Sequence, residues 1–315
     1  MKTEDKPRFL DFVSCSISTL AVIIVSTDFT GYYRFHRFIC VNQFQSVSSV
    51  IQERGKTNAE IIEIMNEQTK AVSAPGVKNL KITVTCDNNP YKEGLEAAWG
   101  FSAFITGTEK TILFDTGGHS LLDNMEKLAI EPDRIDVVVL SHIHRDHTGG
   151  LGSFLEKNPN VTIYLPVSFP KKFKDNARDH GARIIEVKES MQICENVYST
   201  GQLGRRIKEQ SLIIRTDKGL IIVIGCAHPG IVNIVNKAKE LIKDDILLVM
   251  GGFHLEWATK GRVEKIISAF KQLGVRCVGP CHCSGHKARS LFEKHFGSSY
   301  INTGAGKVIT LADLQ

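Results

Sequence analysis

A chain of 315 residues exceeds the ~100–150 of a typical domain, and one α/β domain of about 200–250 residues with an extension accounts for it. Its 42% hydrophobic and 23% charged residues, with 26 glycines, can build a buried core, which excludes collagenous, low-complexity and wholly disordered classes. The 39 Lys+Arg against 34 Asp+Glu leave +5, too little to argue for nucleic acid, so no such partner is expected and any basic site must be local.

Cys15, Cys40, Cys86, Cys194, Cys226, Cys277, Cys281 and Cys283 are too dispersed for a disulfide scaffold, which points to free thiols in a reducing compartment and a cytoplasmic location. The alternative, export or membrane anchoring, rests on residues 12–26 (FVSCSISTLAVIIVS), an apolar run behind Lys2, Lys6 and Arg8 and the one segment suited to a membrane. Against it stand Glu4, Asp5 and Asp11, a run short of the ~20 residues of a spanning helix, and no A-x-A-like cleavage site. The rest of residues 1–56, including FTGYYRFHRF, has no sustained period. Thr57 and Glu60 fit a capping box, and Ile61, Ile62, Ile64 and Met65 suit one face of a short helix. Ser73-Ala74-Pro75-Gly76 then breaks the pattern, so residues 71–78 read as a linker, 1–78 as an N-terminal extension and 79–315 as the catalytic domain. Met65 is an alternative start, and residues 1–64 are expected to be dispensable for catalysis.

From residue 79 the patterns become regular. Leu80, Ile82, Val84 and Cys86 alternate with polar residues, as in a strand with one buried face. Short β runs follow at 101–106 and 110–114, and 135–140 (IDVVVL) reads as a strand buried on both faces. Later runs at 161–165, 183–187, 211–216, 219–224, 246–250 and 276–279 are strand-like; 229–243, 261–273 and 286–296 are helix-like. The mixture, with a hairpin across Asp217-Lys218, predicts two mixed sheets packed together with helices outside.

Chemistry concentrates in Ser141-His142-Ile143-His144-Arg145-Asp146-His147-Thr148-Gly149-Gly150, directly after the buried strand. Three histidines and a carboxylate within six residues are the nitrogen and oxygen donors that Zn²⁺ and its neighbours favour. His142 and His144, two apart in an extended loop, can project to one side and bind one ion. Asp146 and His147, turned by the bend that follows, can face a second, and two cations ~3.5–4 Å apart can share a hydroxide for hydrolysis. The expected cofactors are therefore two divalent metal ions, zinc first, with manganese or iron(II) as alternatives.

This H-x-H-x-D-H pattern resembles the metallo-β-lactamase superfamily, and the resemblance implies an α/β, αββα sandwich with the metals at one edge. Phe114-Asp115-Thr116-Gly117 ends a strand as the superfamily's first motif does; Asp115 would orient a ligand histidine, or merely cap a turn before Gly117. His228 in Gly225-Cys226-Ala227-His228-Pro229-Gly230 and His282 in Pro280-Cys281-His282-Cys283-Ser284-Gly285 sit at further strand ends and would complete the ligand set. Together with Asp87-Asn88-Asn89, Trp99-Gly100-Phe101-Ser102 and Gly251-Gly252-Phe253-His254-Leu255, these segments look like the branch containing the dihydropterin–ribofuranosylaminobenzene 5'-phosphate synthases, over roughly residues 79–310.

Two departures bear on mechanism. Many branch members have His where this chain has Trp99, and residues 197–216 lack the P-G-H-T-like turn that supplies a ligand in the superfamily; His228 is read as its substitute, with Cys226 or Glu209 next in line. The usual bridging Asp is also absent, and Cys226 stands at the comparable place, as a thiolate ligand or as a small packing residue. His254 would line the pocket and assist proton transfer, or make a structural hydrogen bond; Cys281 and Cys283 are expected to point inward as packing residues. Of two basic groups, Lys171, Lys172 and Lys174 read as a solvated face, whereas Arg205 and Arg206, near Lys208, are the phosphate candidates.

The first expectation is a metal-dependent hydrolase, with Asp146 and His254 as catalytic residues, acting on an ester, phosphoester or related bond of a small, phosphorylated molecule. The alternatives are a pterin diphosphate-dependent transferase of the branch type, in which metals hold the leaving group, and a non-hydrolytic sensor or redox module. Diiron redox members carry a carboxylate where this chain has His144, which favours zinc and hydrolysis.

Overall fold

The computed structural model describes residues 22–27, 33–39 and 75–314. Its contacts divide the chain into Met1–Lys56 and Thr57–Gln315. In the first unit β1 (Val22–Thr27) and β2 (Tyr33–Ile39) pair antiparallel, with a register shift between Ile24 and Val25. Strand pairing here was not legible as a period in the sequence. The capping box at Thr57, the helix after it and Met65 lie outside the described residues, and no described helix is long and apolar enough to cross a membrane.

In the second unit, one sheet contains β3 (Lys81–Cys86), β4 (Ser102–Thr106), β5 (Ile112–Phe114), β6 (Val137–Val139), β7 (Thr162–Pro166), β8 (Arg183–Val187) and β15 (Val308–Thr310), in the order β15-β3-β4-β5-β6-β7-β8. The other contains β9 (Met191–Cys194), β10 (Val197–Ser199), β11 (Leu212–Thr216), β12 (Gly219–Ile224), β13 (Ile246–Gly252) and β14 (Cys277–Cys281), in the order β14-β13-β12-β11-β10-β9. Both are mixed: β5 through β8 run parallel, as do β12, β13 and β14, while β11 and β12 form the antiparallel hairpin around Asp217-Lys218.

Alternation of side chains along the strands makes three apolar layers. Ile112, Phe114, Val137 and Val139 meet Leu212, Ile214, Ile221 and Val223 between the sheets. Their neighbours Leu113 and Val138 point outward to α1 (Leu121–Lys127) and α3 (Leu151–Lys157). Leu220, Ile222 and Ile224 point outward to α5 (Ile231–Ile242), α6 (Lys260–Gln272) and α7 (His286–Phe296). A strand covered on both faces needs apolar residues at every position, which is why VVV and LIIVI are unbroken runs. The four layers are the αββα sandwich that the sequence predicts.

Two expectations change. Cys86 does not continue the inward face of Leu80, Ile82 and Val84: a bulge between Val84 and Cys86 inserts a residue and turns Cys86 out against Leu121. The assigned linker also ends earlier, because Val77 bridges Thr216 and is buried in the layer between the sheets. The helix α4 (Lys171–Asp179) holds the first lysine group, and only part of it is solvated: Lys171 pairs with Asp175, while Lys174 is buried with its Nζ 2.7 Å from Glu186. All six described cysteines are buried and outside any disulfide.

Phe292 is fully buried among Phe253, Phe270 and Phe296. Phe292→Ala is expected to cost about 3–5 kcal/mol of unfolding free energy in urea titration, since it leaves a cavity that a rigid cluster cannot fill; a loss below about 1 kcal/mol would contradict this packing.

Candidate metal centre

Parallel strands end at the same edge of their sheet, so the segments after β5 and β6, and those after β12, β13 and β14, emerge side by side. After β6 the chain bends at Ile143, is extended at His144, then turns into α2 (Arg145–Thr148). The bend expected after His144 is thus one helical turn, and it redirects Asp146 and His147 relative to His142 and His144.

Asp115, buried at the end of β5 with φ 56°, organises this loop. Its Oδ1 accepts the Ser141 N–H at 2.6 Å; its Oδ2 accepts the Ser141 hydroxyl at 2.6 Å and the His147 Nδ1–H at 2.7 Å. A carboxylate only accepts, so His147 carries a proton on Nδ1, and its Nε2 is turned to the Asp146 and Cys226 side chains. Because the Ser141 hydroxyl is committed to Asp115, its oxygen accepts from His142 Nδ1 at 2.9 Å, and His142 likewise presents Nε2. Asp115 therefore reaches two histidines, one directly and one through Ser141. The end of β12 packs on this arrangement, and only glycine fits there: a Cβ at Gly225 would lie 2.1 Å from Ser141 Oγ.

The rings of His142, His144 and His228 stand 4.7–4.9 Å apart, centroid to centroid, and His142 Nε2 is 3.1 Å from His144 Nδ1. Beside them, donor atoms of Asp146, His147, Cys226 and His282 lie within 4.8 Å of one another. His147 Nε2 is 3.6 Å from Asp146 Oδ2 and 3.3 Å from Cys226 Sγ, and His282 Nε2 is 3.3 Å from Asp146 Oδ2. Cys226 also groups with His142 and His228, so it borders both clusters. His228 Nε2 is buried without a hydrogen-bond partner, and His282 Nε2 has the Asp146 carboxylate 3.3 Å away. An orphaned imidazole nitrogen is costly to bury unless something electrophilic meets it. With carboxylate and thiol beside these nitrogens, the donor set fits a divalent cation of the zinc type.

Electrostatics agree with that fit. Burial, reinforced by the surrounding histidines, holds His142 far below the usual imidazole range and His228 down at about 4, so both are neutral donors. Burial works against ionised Asp146, but His282 and His147 outweigh it and keep the carboxyl below its ordinary range. These are the protonation states that ligate metal.

Other residues take roles that local sequence did not reveal. Glu209, held in reserve as a ligand, spends its carboxylate on the backbone N–H groups of Cys226, Ala227 and His228 at 2.8–2.9 Å, fixing the loop instead of facing a cation. Burial pushes its carboxyl up to about 7 despite those three donors. Trp99 is half exposed, donates its indole N–H to Asp146 Oδ2 at 3.0 Å, and tilts against His282 at 5.0 Å. Cys281 and Cys283 are both buried, as expected, but Cys283 does more than pack: its thiol lies near the Cys226 carbonyl and hydrogen-bonds exposed His254, whose ring is 4.5 Å from His228. Arg205 and Arg206 stand apart from the histidines on a cleft of about 1020 Å³ that His228 borders, together with Asn233, Asn236, Lys237 and Glu240. Their loop is pinned at its base by the Leu203–Glu209 backbone pair, and Lys208 bonds the Gly204 carbonyl.

Residues 100–235 match the family model of the metallo-beta-lactamase superfamily. The 7,8-dihydropterin-6-methyl-4-(beta-D-ribofuranosyl)-aminobenzene-5'-phosphate synthase of Methanocaldococcus jannaschii is 33% identical over 285 residues, 74% of this chain and 97% of that one. This chain belongs to the metallo-β-lactamase superfamily. A solved structure of a metal-dependent hydrolase of the beta-lactamase superfamily is 29% identical, covering 73% of this chain and 98% of that one at a TM-score of 0.62. The metallo-beta-lactamase fold protein YhfI from Bacillus subtilis, at 15% identity and a TM-score of 0.56 over 73% of this chain and 99% of its own, shares the fold. Within the superfamily sandwich, both histidine clusters stand at the sheet edge where the strands converge.

Asp115→Asn offers an amide where Ser141 and His147 both require an acceptor, so at least one loses its partner. Metal affinity is expected to fall about 10–100-fold, measured by chelator competition, with far-UV circular dichroism unchanged. Wild-type affinity in this variant would remove Asp115 from its organising role.

Proposed function

We propose that the protein is a metal-dependent hydrolase with two divalent ions, zinc first, acting on an ester or phosphoester bond in a small phosphorylated molecule. The observation that supports this reading is the buried, partnerless His228 Nε2 beside His142 and Cys226, next to the Asp146, His147, Cys226 and His282 donor group. His142, His144 and His228 would hold one ion; Asp146, His147 and His282 the other, with Cys226 at the boundary as the thiolate replacement for a bridging acid. When bound, the ions supply Lewis acidity and acidify a water.

The chain's own residues would do the rest. Asp115 and Ser141 hold His147 and His142 in the tautomers that present Nε2. Asp146 is kept ionised by His282 and His147 and oriented by Trp99. His254, exposed beside His228 and anchored by Cys283, would carry a proton to the leaving group. Arg205 and Arg206, which make no ion pair among the described residues, would grip the phosphate together with Lys237. This reading puts the protein in a reducing, cytoplasmic setting, where the Cys226 and Cys283 thiols persist.

A second reading, transfer from a pterin diphosphate, is favoured by the 33% identity to the archaeal synthase across nearly all of its length. Metal analysis combined with a screen of phosphodiesters, phosphomonoesters, lactones, thioesters and β-lactams separates the two. Hydrolysis predicts turnover of a phosphorylated ester without any acceptor, and Arg205→Ala/Arg206→Ala should raise KM about 10–100-fold, the loss of a charge-assisted contact. Turnover that requires both a pterin diphosphate and an arylamine acceptor would replace hydrolysis with transfer.

A further inference from the structure

The loop after β3 touches neither reaction group nor phosphate cleft, yet it is wrapped around one ligand. Asp87 is buried; its Oδ2 accepts the backbone N–H of His282 at 3.0 Å, and its Oδ1 accepts the backbone and side-chain N–H groups of Asn89 at 2.7 and 2.5 Å. Asn88 Oδ1 lies 3.0 Å from His282 Nδ1, and Asn88 Nδ2 donates to the His282 carbonyl at 3.4 Å. His282 itself adopts φ 48°, a left-handed conformation that a side chain bearing Cβ does not enter unaided. Its backbone N–H, its carbonyl and its ring are thus all gripped from a segment 194–195 residues away in sequence.

We infer that Asn88 is a positioning residue for His282, with Asp87 as its backbone anchor: the amide oxygen accepts the Nδ1 proton and so fixes the ring with Nε2 toward Asp146 and His147. The chemistry fixes the proton on Nδ1. Asn88 Nδ2 is engaged with the His282 carbonyl, so its oxygen faces the ring, and an oxygen at 3.0 Å requires a proton on Nδ1. Nε2 is then turned to the Asp146 carboxylate, 3.3 Å from Oδ2. The two clusters are consequently held from different places: Asp115 and Ser141 set His142 and His147, whereas Asn88 sets His282 alone. Loss of Asn88 should weaken the Asp146–His147–His282 position selectively. The metal arm of this inference rests on the proposed two-ion reading; the tautomer does not.

The test uses the full chain as wild type, Asn88→Leu and Asn88→Asp. Leu removes the acceptor at similar volume, while Asp restores it. Long-range ¹H–¹⁵N spectra of the metal-free protein should show His282 Nδ1 protonated in wild type and Asn88→Asp, and a shift of the proton from Nδ1 toward Nε2 in Asn88→Leu. In zinc titrations against a chromophoric chelator, Asn88→Leu should weaken one of two sites about 10–100-fold and leave the other within threefold, with Asn88→Asp recovering most of the loss. An unchanged His282 tautomer in Asn88→Leu would overturn the inference, as would equal weakening of both zinc sites. If wild type binds fewer than two zinc ions, the two-ion reading fails, and the spectra alone then uphold or overturn the role of Asn88.

Discussion

The carboxylate of Asp115 is the interaction on which the candidate metal centre depends. It is fully buried, where an uncompensated charge would be prohibitive, and it is tolerated because three donors converge on its two oxygens. Those donors belong to the loop after β6, so satisfying the charge and folding the histidine loop are one event. The requirement propagates further. Gly225 must lack a side chain so that β12 can end against this network, and the loop that follows is in turn pinned by Glu209.

Topology supplies the remaining convergence. Parallel strands of both sheets deliver their C-terminal ends to one edge, and the chain accepts strain there: Asp115, Ala227, His254 and His282, four of the seven described non-glycine residues with positive φ, lie in these strand-end segments. Such conformations persist where surrounding bonds over-determine them. The apolar sandwich provides that rigidity independently of any ion, so the fold itself positions the candidate ligands.

Legibility in the sequence followed the range of each interaction. The doubly covered strands were readable because burial on both faces demands unbroken apolar runs, and the residues from His142 to His147 because their donors are contiguous. His228 and His282 were readable from their place after apolar strands. The part Cys283 plays beyond packing was missed because alternation was carried past Cys281, whereas the chain leaves β14 there for a 3₁₀ turn at His282–Ser284 that brings the thiol to His254. Glu209, Ser141 and Trp99 gave no local signal, since each acts through a partner on another element. The short β9, β10 and β15 went unassigned because runs of three or four residues carry too little period to stand out.

Anomalous diffraction at the zinc edge from crystals grown with zinc tests the account most directly. The account predicts two anomalous peaks per chain, one bounded by His142, His144 and His228, the other by Asp146, His147 and His282, with the Cys226 sulfur between them. A single peak, or zinc bound away from His228 Nε2 and His282 Nε2, would contradict it.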